Sequence, residues 1–260
     1  MNINNLKFTM IFVFFFLLLS CGKNETESNS VRPVIHDYRI NDVLYGKGSK
    51  LKYIYHQDRF YAEYKYDESN RISRIDYGVD TYAYEIYQYN TKGELEKISS
   101  YYLQNLSLGH TVVYSYDAKG NKEKELIDYT DNRETVYNLY KYSDGKLTKQ
   151  EHYEGNKQTH YIIYEYKGDK LVKEKFFVPS EKDFVTTEHF YEEGLLVYSI
   201  TYSGNPESGF GHDERKYYDK NDNLIKTVSN IPGLSSMSGA TAFYVTWEYK
   251  YENYEMTVKW

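Results

Sequence analysis

The residues best suited to metal chemistry are His152 and His160, which flank a polar segment, Glu154–Lys157. Imidazole nitrogens bind zinc, and two histidines on the arms of one β-hairpin would lie near each other. A zinc site takes three or four protein ligands, and the surrounding sequence offers no third ligand at a suitable spacing. The sequence therefore predicts that the protein binds no metal and no other cofactor.

No recognised catalytic motif is present. The chain contains no GxGxxG, Walker A, HExxH or GxSxG string. Asp and Glu are abundant but alternate with Lys, as is typical of solvated faces. A carboxylate pair for glycoside hydrolysis is defined by its separation in space, and nothing in the sequence selects one. The sequence predicts a protein without catalytic residues, with a hydrolase as the least favoured alternative.

Tyrosine, lysine and arginine recur in an order that would suit a ligand-binding surface. A Tyr-x-Tyr motif is followed by a polar turn and then Leu or Ile, with Lys or Arg two residues further on. Because side chains along a β-strand alternate between its two faces, this cation would lie on the same face as the Leu or Ile, opposite the first tyrosine of the motif. The predicted pairs are Tyr64–Arg74, Tyr87–Lys97, Tyr114–Lys124, Tyr140–Lys149 and Tyr164–Lys173.

These pairs have two interpretations. They could form a track that captures a sugar or an anion, with Tyr164 and Lys173 as representative binding residues. We favour the second interpretation, in which rings and cations stack on one another along the sheet, contributing about 0.5–1 kcal/mol for each exposed pair. The 33 tyrosines fit this interpretation, because a tyrosine ring packs as an apolar body and keeps a polar tip.

Irregular inserts interrupt the regular spacing at Leu103–His110, Ser203–His212 and Ser229–Thr241. Loops on a rigid scaffold often carry binding residues. The two later inserts are rich in Gly and Ser, and they are predicted to frame any ligand site. Their candidate binding residues are Phe210, His212 and Met237.

The N-terminal segment has the character of an export signal. Lys7 precedes an almost wholly apolar run of 12 residues, Phe8–Leu19, which is too short to span a membrane comfortably. The run ends in Leu-Leu-Ser-Cys21, which resembles the lipobox of bacterial lipoproteins. The resemblance implies cleavage before Cys21 and acylation of that residue. Gly22, in place of Asp, then implies anchoring in the outer membrane.

The chain thus divides into a signal peptide at residues 1–20, an acylated cysteine and polar tether at 21–35, and one domain at 36–260. Cys21 is the only cysteine, which excludes disulfides within the chain. The tether contains too few apolar residues to fold independently.

The domain is built from a repeat. The Tyr-x-Tyr phrase occurs nine times, three of them in weaker form, and its second tyrosine recurs at intervals of 21 to 33 residues. A repeat of this size indicates units that bury their faces against their neighbours. The nine second tyrosines are Tyr45, Tyr66, Tyr89, Tyr116, Tyr142, Tyr166, Tyr191, Tyr218 and Tyr251.

Each repeat is predicted to be a β-hairpin. In the segment 140–153, Tyr140 and Tyr142 alternate with polar residues, Ser143–Lys146 has turn chemistry, and alternation resumes at Leu147. About nine such hairpins predict an all-β fold, a long antiparallel meander curled into an open spiral or a barrel-like tube. No helix is predicted after Leu19.

The repeat resembles known families of hairpin repeats. The segments YKYDESNRI at 64–72, YQYNTKGEL at 87–95 and YSYDAKGN at 114–121 resemble the YD repeats of Rhs-type proteins. The segment YSDGKLTKQEHYEGNK at 142–157 is similar to MORN-type repeats. The resemblance implies a continuous sheet of hairpins. Because the chain lacks the large toxin region of Rhs proteins, it looks more like small tyrosine-rich bacterial lipoproteins of unknown function.

The chain end offers one further alternative. Tyr254, Met256, Val258 and Trp260 alternate with polar residues, which is similar to the last strand of outer-membrane barrels. A membrane barrel needs an apolar lipid-facing band on every strand, whereas Lys, Glu or Gln stands between the tyrosines of most repeats. We therefore favour a closing strand that caps the repeats.

The net charge of −6 argues against nucleic acid as a partner, because phosphate binding requires a basic face. The favoured function is a noncatalytic binding or adhesion module for a polysaccharide or protein, held at the outer membrane by its lipid. The main alternative is a structural or assembly lipoprotein of the periplasm.

Overall fold

The computed structural model describes residues 43–45, 49–78, 82–131, 133–181, 184–203, 211–230, 244–251 and 254–256. All helices and strands assigned in these ranges are β-strands, which confirms the all-β prediction. The strands are β1 (Val43–Tyr45), β2 (Leu51–His56), β3 (Arg59–Tyr66), β4 (Ile72–Tyr77), β5 (Tyr82–Tyr89), β6 (Leu95–Tyr102), β7 (Leu108–Tyr116), β8 (Lys122–Tyr129), β9 (Val136–Ser143), β10 (Lys146–Glu154), β11 (Lys157–Lys167), β12 (Lys170–Phe177), β13 (Phe184–Glu192), β14 (Leu195–Ser203), β15 (Gly211–Tyr218), β16 (Leu224–Asn230), β17 (Tyr244–Tyr251) and β18 (Tyr254–Met256).

Strands β2 to β17 form one closed barrel of 16 antiparallel strands, each paired with its neighbours in the sequence. The ring is completed where β17 pairs with β2. The structure therefore selects the tube over the open spiral. Strands β1 and β18 pair with each other in a separate two-stranded sheet, so β18 lies outside the barrel and its role as a cap stays a prediction.

The barrel contains eight repeat units rather than nine. Seven are covalent hairpins, β3–β4 through β15–β16, and the eighth consists of β17 and β2 from the two ends of the chain. In this eighth unit Tyr251 lies opposite Leu51, as Tyr142 lies opposite Leu147 within a covalent hairpin. The ninth predicted copy, around Tyr45, lies in β1 outside the barrel.

A β-bulge occurs at the same position in all eight units. In β3–β4, Tyr66 faces Ile72 and Lys65 faces Arg74, so Ser73 is an extra residue with no partner of its own. The other seven units have the equivalent register shift. A bulge reverses the alternation of side chains on one strand relative to its partner.

The bulge makes the predicted tyrosine–cation pairs wrong, although the predicted pairing of Tyr142 with Leu147 and of Tyr166 with Leu171 is confirmed. Tyr64 faces Ile75 rather than Arg74, and Tyr164 faces Glu174 rather than Lys173. The same holds for the other three pairs, because Lys97, Lys124 and Lys149 face Gln88, Ser115 and Lys141. The cations therefore lie on the face opposite the first tyrosines.

The tyrosine-bearing face lines the barrel interior, and the cation-bearing face points outward. Exposed residues in the middle of strands belong to the cation face, among them Lys65, Gln88, Val113, Ser115 and Lys141. On the other face, the Tyr87 hydroxyl is close enough to those of Tyr64 and Tyr114, two strands away on either side, to raise its pKa. Side chains converge in this way on the concave side of a curved sheet.

Adjacent units are joined by hydrogen bonds that we call tyrosine clamps. The second tyrosine of a unit donates its hydroxyl to the carbonyl oxygen of the Leu or Ile that faces the second tyrosine of the preceding unit, as Tyr89 does to Ile72 at 2.8 Å. A cation of that unit also covers the ring, since Arg71 lies 4.3 Å from the Tyr89 ring centroid. The other five clamps join Tyr66 to Leu51, Tyr116 to Leu95, Tyr191 to Leu171, Tyr218 to Leu196 and Tyr251 to Leu224.

The outer face is held together by ion pairs and by stacked rings. Glu151 is 6% exposed and accepts hydrogen bonds from Lys141 and Lys149, each at 2.8 Å. Burial alone would raise the pKa of Glu151, but these two bonds lower it. Aromatic side chains stack in cross-strand pairs, such as Tyr137 and Tyr153 with 4.8 Å between centroids. Because the rings face each other, these pairs fit the structural interpretation of the tyrosine content.

The two ends of the barrel differ. One end, which we call the turn end, carries the seven short connections within the covalent hairpins. In one of the three two-residue connections, Asp144 and Gly145 both have positive φ, as a short hairpin requires. The other end, the loop end, is where β14 and β16 end, two strands apart. The inserts predicted to frame a ligand site there lie mostly outside the described residues, so their role stays a prediction.

Candidate functional site

The inner face carries a belt of polar clusters, each centred on a glutamate, and this belt is the candidate functional site. In the first cluster, Tyr77 and Tyr87 donate their hydroxyls to Glu85 at 3.0 and 2.9 Å. Ser100, which is fully buried, donates to the other oxygen of the same carboxylate at 3.1 Å. His110 lies 3.4 Å beyond Ser100.

The second cluster repeats this arrangement on β8 and β9. Glu125 accepts hydrogen bonds from the Tyr140 hydroxyl at 2.9 Å and from the Asn138 amide at 3.1 Å. Asn138 is 6% exposed, and its carbonyl oxygen accepts a bond of 2.8 Å from Nδ1 of His152. Lys122 adds a contact of 3.3 Å to the Glu125 carboxylate.

The third cluster has the composition of a Ser-His-Glu triad. Nδ1 of His189 is 2.9 Å from the Ser199 hydroxyl, and Nε2 is 2.8 Å from a carboxylate oxygen of Glu174. The three residues lie on β14, β13 and β12, with His189 directly opposite Ser199. The strands thus supply the alignment that an acid–base relay needs.

Two observations favour a structural and binding role for this triad over acyl transfer. Equivalent glutamate clusters occur around Glu85 and Glu125, where the carboxylates bind tyrosine and serine or asparagine. An oxyanion hole also needs backbone N–H groups free to bind substrate, whereas Ser199 lies mid-strand between the ladders of β13 and β15. The arrangement is suited to hold polar groups in fixed positions.

Tyrosine hydroxyls of this belt remain neutral hydrogen-bond donors. Burial is the main cause that raises the pKa of Tyr77, Tyr87 and Tyr140, and the neighbouring glutamate raises it further. Burial likewise raises the pKa of Tyr164 to about 12. At neutral pH the wall therefore presents uncharged hydroxyls beside carboxylates.

The two histidines singled out in the sequence do meet. His152 and His160 face each other on β10 and β11, and their rings stack at 4.3 Å between centroids. Burial, together with the nearby His152, lowers the pKa of His160 to about 4. Within the described ranges no group of three or more His, Cys, Asp or Glu side chains is arranged to hold a metal ion.

The structure separates the other candidate residues. Tyr164 lies on the inner face and donates its hydroxyl to Gln150 at 3.0 Å, whereas Lys173 lies on the outer face and pairs with Glu188 at 2.9 Å. His212 is exposed near the loop end of β15. Phe210, Met237 and Cys21 lie outside the described residues, as do the predicted signal peptide and tether.

Sequence reasoning missed the glutamates of the inner belt. Glu125 and Glu174 each lie opposite the first tyrosine of a repeat. Strict alternation of side chains had predicted a cation, Lys124 or Lys173, at that position. The bulge shifts the alignment of the two strands by one residue. A sequence alignment of the repeats that left one residue unpaired after each Leu or Ile would have placed these glutamates opposite the first tyrosines.

Comparisons with known proteins give no family. No protein-family model and no curated protein sequence matches the chain. Among solved structures, a porin-like protein from Bacteroides uniformis ATCC 8492 is similar, with 10% identity, a TM-score of 0.41, and coverage of 78% of this chain and 96% of that one. A porin-like protein from Bacteroides vulgatus ATCC 8482 has 9% identity, a TM-score of 0.36, and coverage of 78% and 99%. Scores this low support no inference about function, and the resemblance to YD and MORN repeats stays a prediction.

The half-buried histidine pair predicts a specific pH dependence. The pKa of His160 is about 4 in the folded protein and about 6.5 in an unfolded chain. Between these values the unfolded state binds a proton that the folded state does not, so stability falls as the pH decreases through this window. Changing His160→Gln should remove this contribution, as measured by urea unfolding at pH 4.5 and pH 7.

The exposed His212 provides the control. His212→Gln should keep the pH dependence of the unmodified protein. An NMR titration in which the His160 ring protonates near pH 6.5 in the folded protein would contradict the assignment.

Proposed function

We propose that the protein is a noncatalytic binding module at the outer membrane, and that its barrel interior binds a polysaccharide segment. The observation that carries the proposal is the partly accessible polar wall of the inner face. Tyr87, Tyr114, Tyr140 and Tyr164 line this wall, and each remains partly accessible. In barrels of about 16 strands, side chains do not fill the interior.

The chemistry of the wall favours a neutral, hydroxyl-rich ligand. A carboxylate oxygen accepts about two hydrogen bonds, so Glu85 and Glu125 keep acceptor capacity after their contacts with tyrosine. Aromatic surface is also present, since Trp247 packs on His56 at 4.3 Å and against Tyr61 at 4.9 Å. Carboxylates, hydroxyls and rings together suit sugar hydroxyls and the apolar faces of pyranose rings.

The outer face supports anchoring by lipid rather than by the strands. Ion pairs such as Lys141–Glu151 and Lys173–Glu188 occupy mid-strand positions where a lipid-facing band would be apolar. Among the described residues, no helix is long and apolar enough to cross a membrane. We propose that attachment rests on acylated Cys21, as the lipobox resemblance implies. Cys21→Ala should abolish palmitate labelling and release the protein from the membrane fraction; labelling that persists would refute the anchor.

A binding measurement with matched variants tests the proposed ligand. The purified protein is screened on a glycan array, and the retained polysaccharide is titrated by calorimetry. Tyr87→Phe removes one hydroxyl of the inner wall and should weaken binding about fivefold, the equivalent of one hydrogen bond of about 1 kcal/mol.

The control is Tyr84→Phe on the same strand, whose ring stacks on Tyr101 at the outer face. This variant should bind as the unmodified protein does. The proposal fails if no glycan is retained, or if Tyr84→Phe and Tyr87→Phe weaken binding equally. Recovery of the protein in a defined envelope complex, with no glycan bound, would favour the assembly alternative.

A further inference from the structure

The turn end of the barrel contains a ring of eight tyrosines with one irregular position. Seven of these tyrosines face Leu or Ile across their repeat unit, whereas Tyr116 faces Lys122. The repeat is therefore broken at the unit formed by β7 and β8.

The lysine side chain does not take the place of a leucine. Its ammonium group lies 4.1 Å from the Tyr140 ring centroid and 5.4 Å from that of Tyr114, and it contacts Glu125 at 3.3 Å. Lys122 is thus directed along the inner wall, away from the turns.

A cleft of about 220 Å³ lies beside this break, between the β7–β8 and β9–β10 turns. It is lined by Asp117, Lys119, Asn121, Glu123, Tyr140, Tyr142, Asp144 and Gly145. Drug-sized pockets begin at about 300 Å³, so this cleft fits a smaller ligand of roughly one ring.

Tyr142 differs from its neighbours in the ring. Six of the eight tyrosines donate their hydroxyls to the preceding unit in tyrosine clamps. In the described part of the chain, no hydrogen bond involves the Tyr142 hydroxyl. Burial raises the pKa of this hydroxyl, and the charge of Asp117 raises it further, so it stays a neutral donor at the cleft.

The turns that frame the cleft are already rigid. Asp117 accepts bonds of 2.8 Å from the backbone N–H groups of Lys119 and Asn121 and from the Asn121 amide. Positive φ at Asp144 and Gly145 fixes the opposite turn. A ligand would therefore meet preorganised groups, which lowers the entropic cost of binding.

We propose that this cleft binds a single neutral sugar ring. The Tyr142 hydroxyl donates to the ligand, and the carboxylates of Glu123 and Asp144 accept hydrogen bonds from its hydroxyls. Three carboxylates against one lysine exclude uronic acids and phosphates by charge repulsion. The site shares Tyr140 with the inner-wall belt, but the groups that would bind the sugar, Tyr142, Glu123 and Asp144, lie outside the glutamate clusters, so it extends the proposed function without resting on it.

Ligand-observed NMR on the full chain in detergent tests the site, with glucose, galactose, mannose and N-acetylglucosamine as neutral probes and glucuronic acid as the anionic probe. At least one neutral sugar should bind, and glucuronic acid should bind at least tenfold more weakly. Tyr142→Phe should weaken the neutral sugar about fivefold.

Blocking the cleft provides the decisive comparison. Glu123 is the exposed bulge residue of its unit, and Glu96 is the exposed bulge residue of the preceding unit. Glu123→Trp should abolish sugar binding, whereas Glu96→Trp should leave it unchanged, with both variants folded by circular dichroism. Binding that survives Glu123→Trp, the absence of binding by every neutral sugar, or equal binding of glucuronic acid would overturn the proposal. Tyr87→Phe should not change monosaccharide binding, which separates failure here from failure of the inner-wall proposal.

Discussion

The β-bulge repeated in every unit is the constraint on which the rest of the structure depends. One extra residue after each Leu or Ile sets the two strands of a unit in opposite alternation, so that the same unit directs tyrosines inward and cations outward. Bulges also increase the local twist of a sheet, which favours curvature and closure. Without the bulge, Arg74 and Lys173 would lie on the tyrosine face, and Glu125 and Glu174 would point into solvent. The single residue therefore determines both the shape of the barrel and the polarity of its interior.

Tyrosine side chains stabilise the inner wall of this wide barrel. A 16-stranded ring is too broad for aliphatic side chains to fill, so the inner wall must be stable while it remains wet. A tyrosine ring packs along the wall, and its hydroxyl bonds either to a carboxylate, as in Tyr140 with Glu125, or to the next unit through a clamp, as in Tyr89 with Ile72. Each such bond contributes about 0.5–1.5 kcal/mol, and the clamps add these contributions at the interfaces between units. The same polar wall that stabilises the barrel is the surface offered to a ligand.

The fold was largely predictable, and the site was not. Period two, the turn residues and the regular spacing of Tyr-x-Tyr predict antiparallel hairpins, and the facing of Tyr142 with Leu147 and of Tyr166 with Leu171 is confirmed. The bulge follows from how the strands pair rather than from composition, so the faces of Lys173 and Glu174 could not be assigned. Barrel closure could not be predicted from the local sequence either, because Tyr251 pairs with Leu51, which lies near the other end of the chain. The break at Lys122 was visible as an irregular repeat, but its consequence required the neighbouring turn.

Closure of the ring by β17 and β2 is the central claim, and a cross-link tests it most directly. Tyr53 and Lys250 face each other across this pair on the outer face. In a Cys21→Ala background, Tyr53→Cys with Lys250→Cys should oxidise to an intramolecular disulfide, visible as faster migration on a non-reducing gel, and should stabilise the protein by up to about 4–5 kcal/mol because the closed loop is long. The control, Tyr53→Cys with Glu165→Cys on the distant β11, should stay reduced. A Tyr53–Lys250 pair that stays reduced, or forms only intermolecular disulfides, would mean that the sheet is open and that the account is wrong.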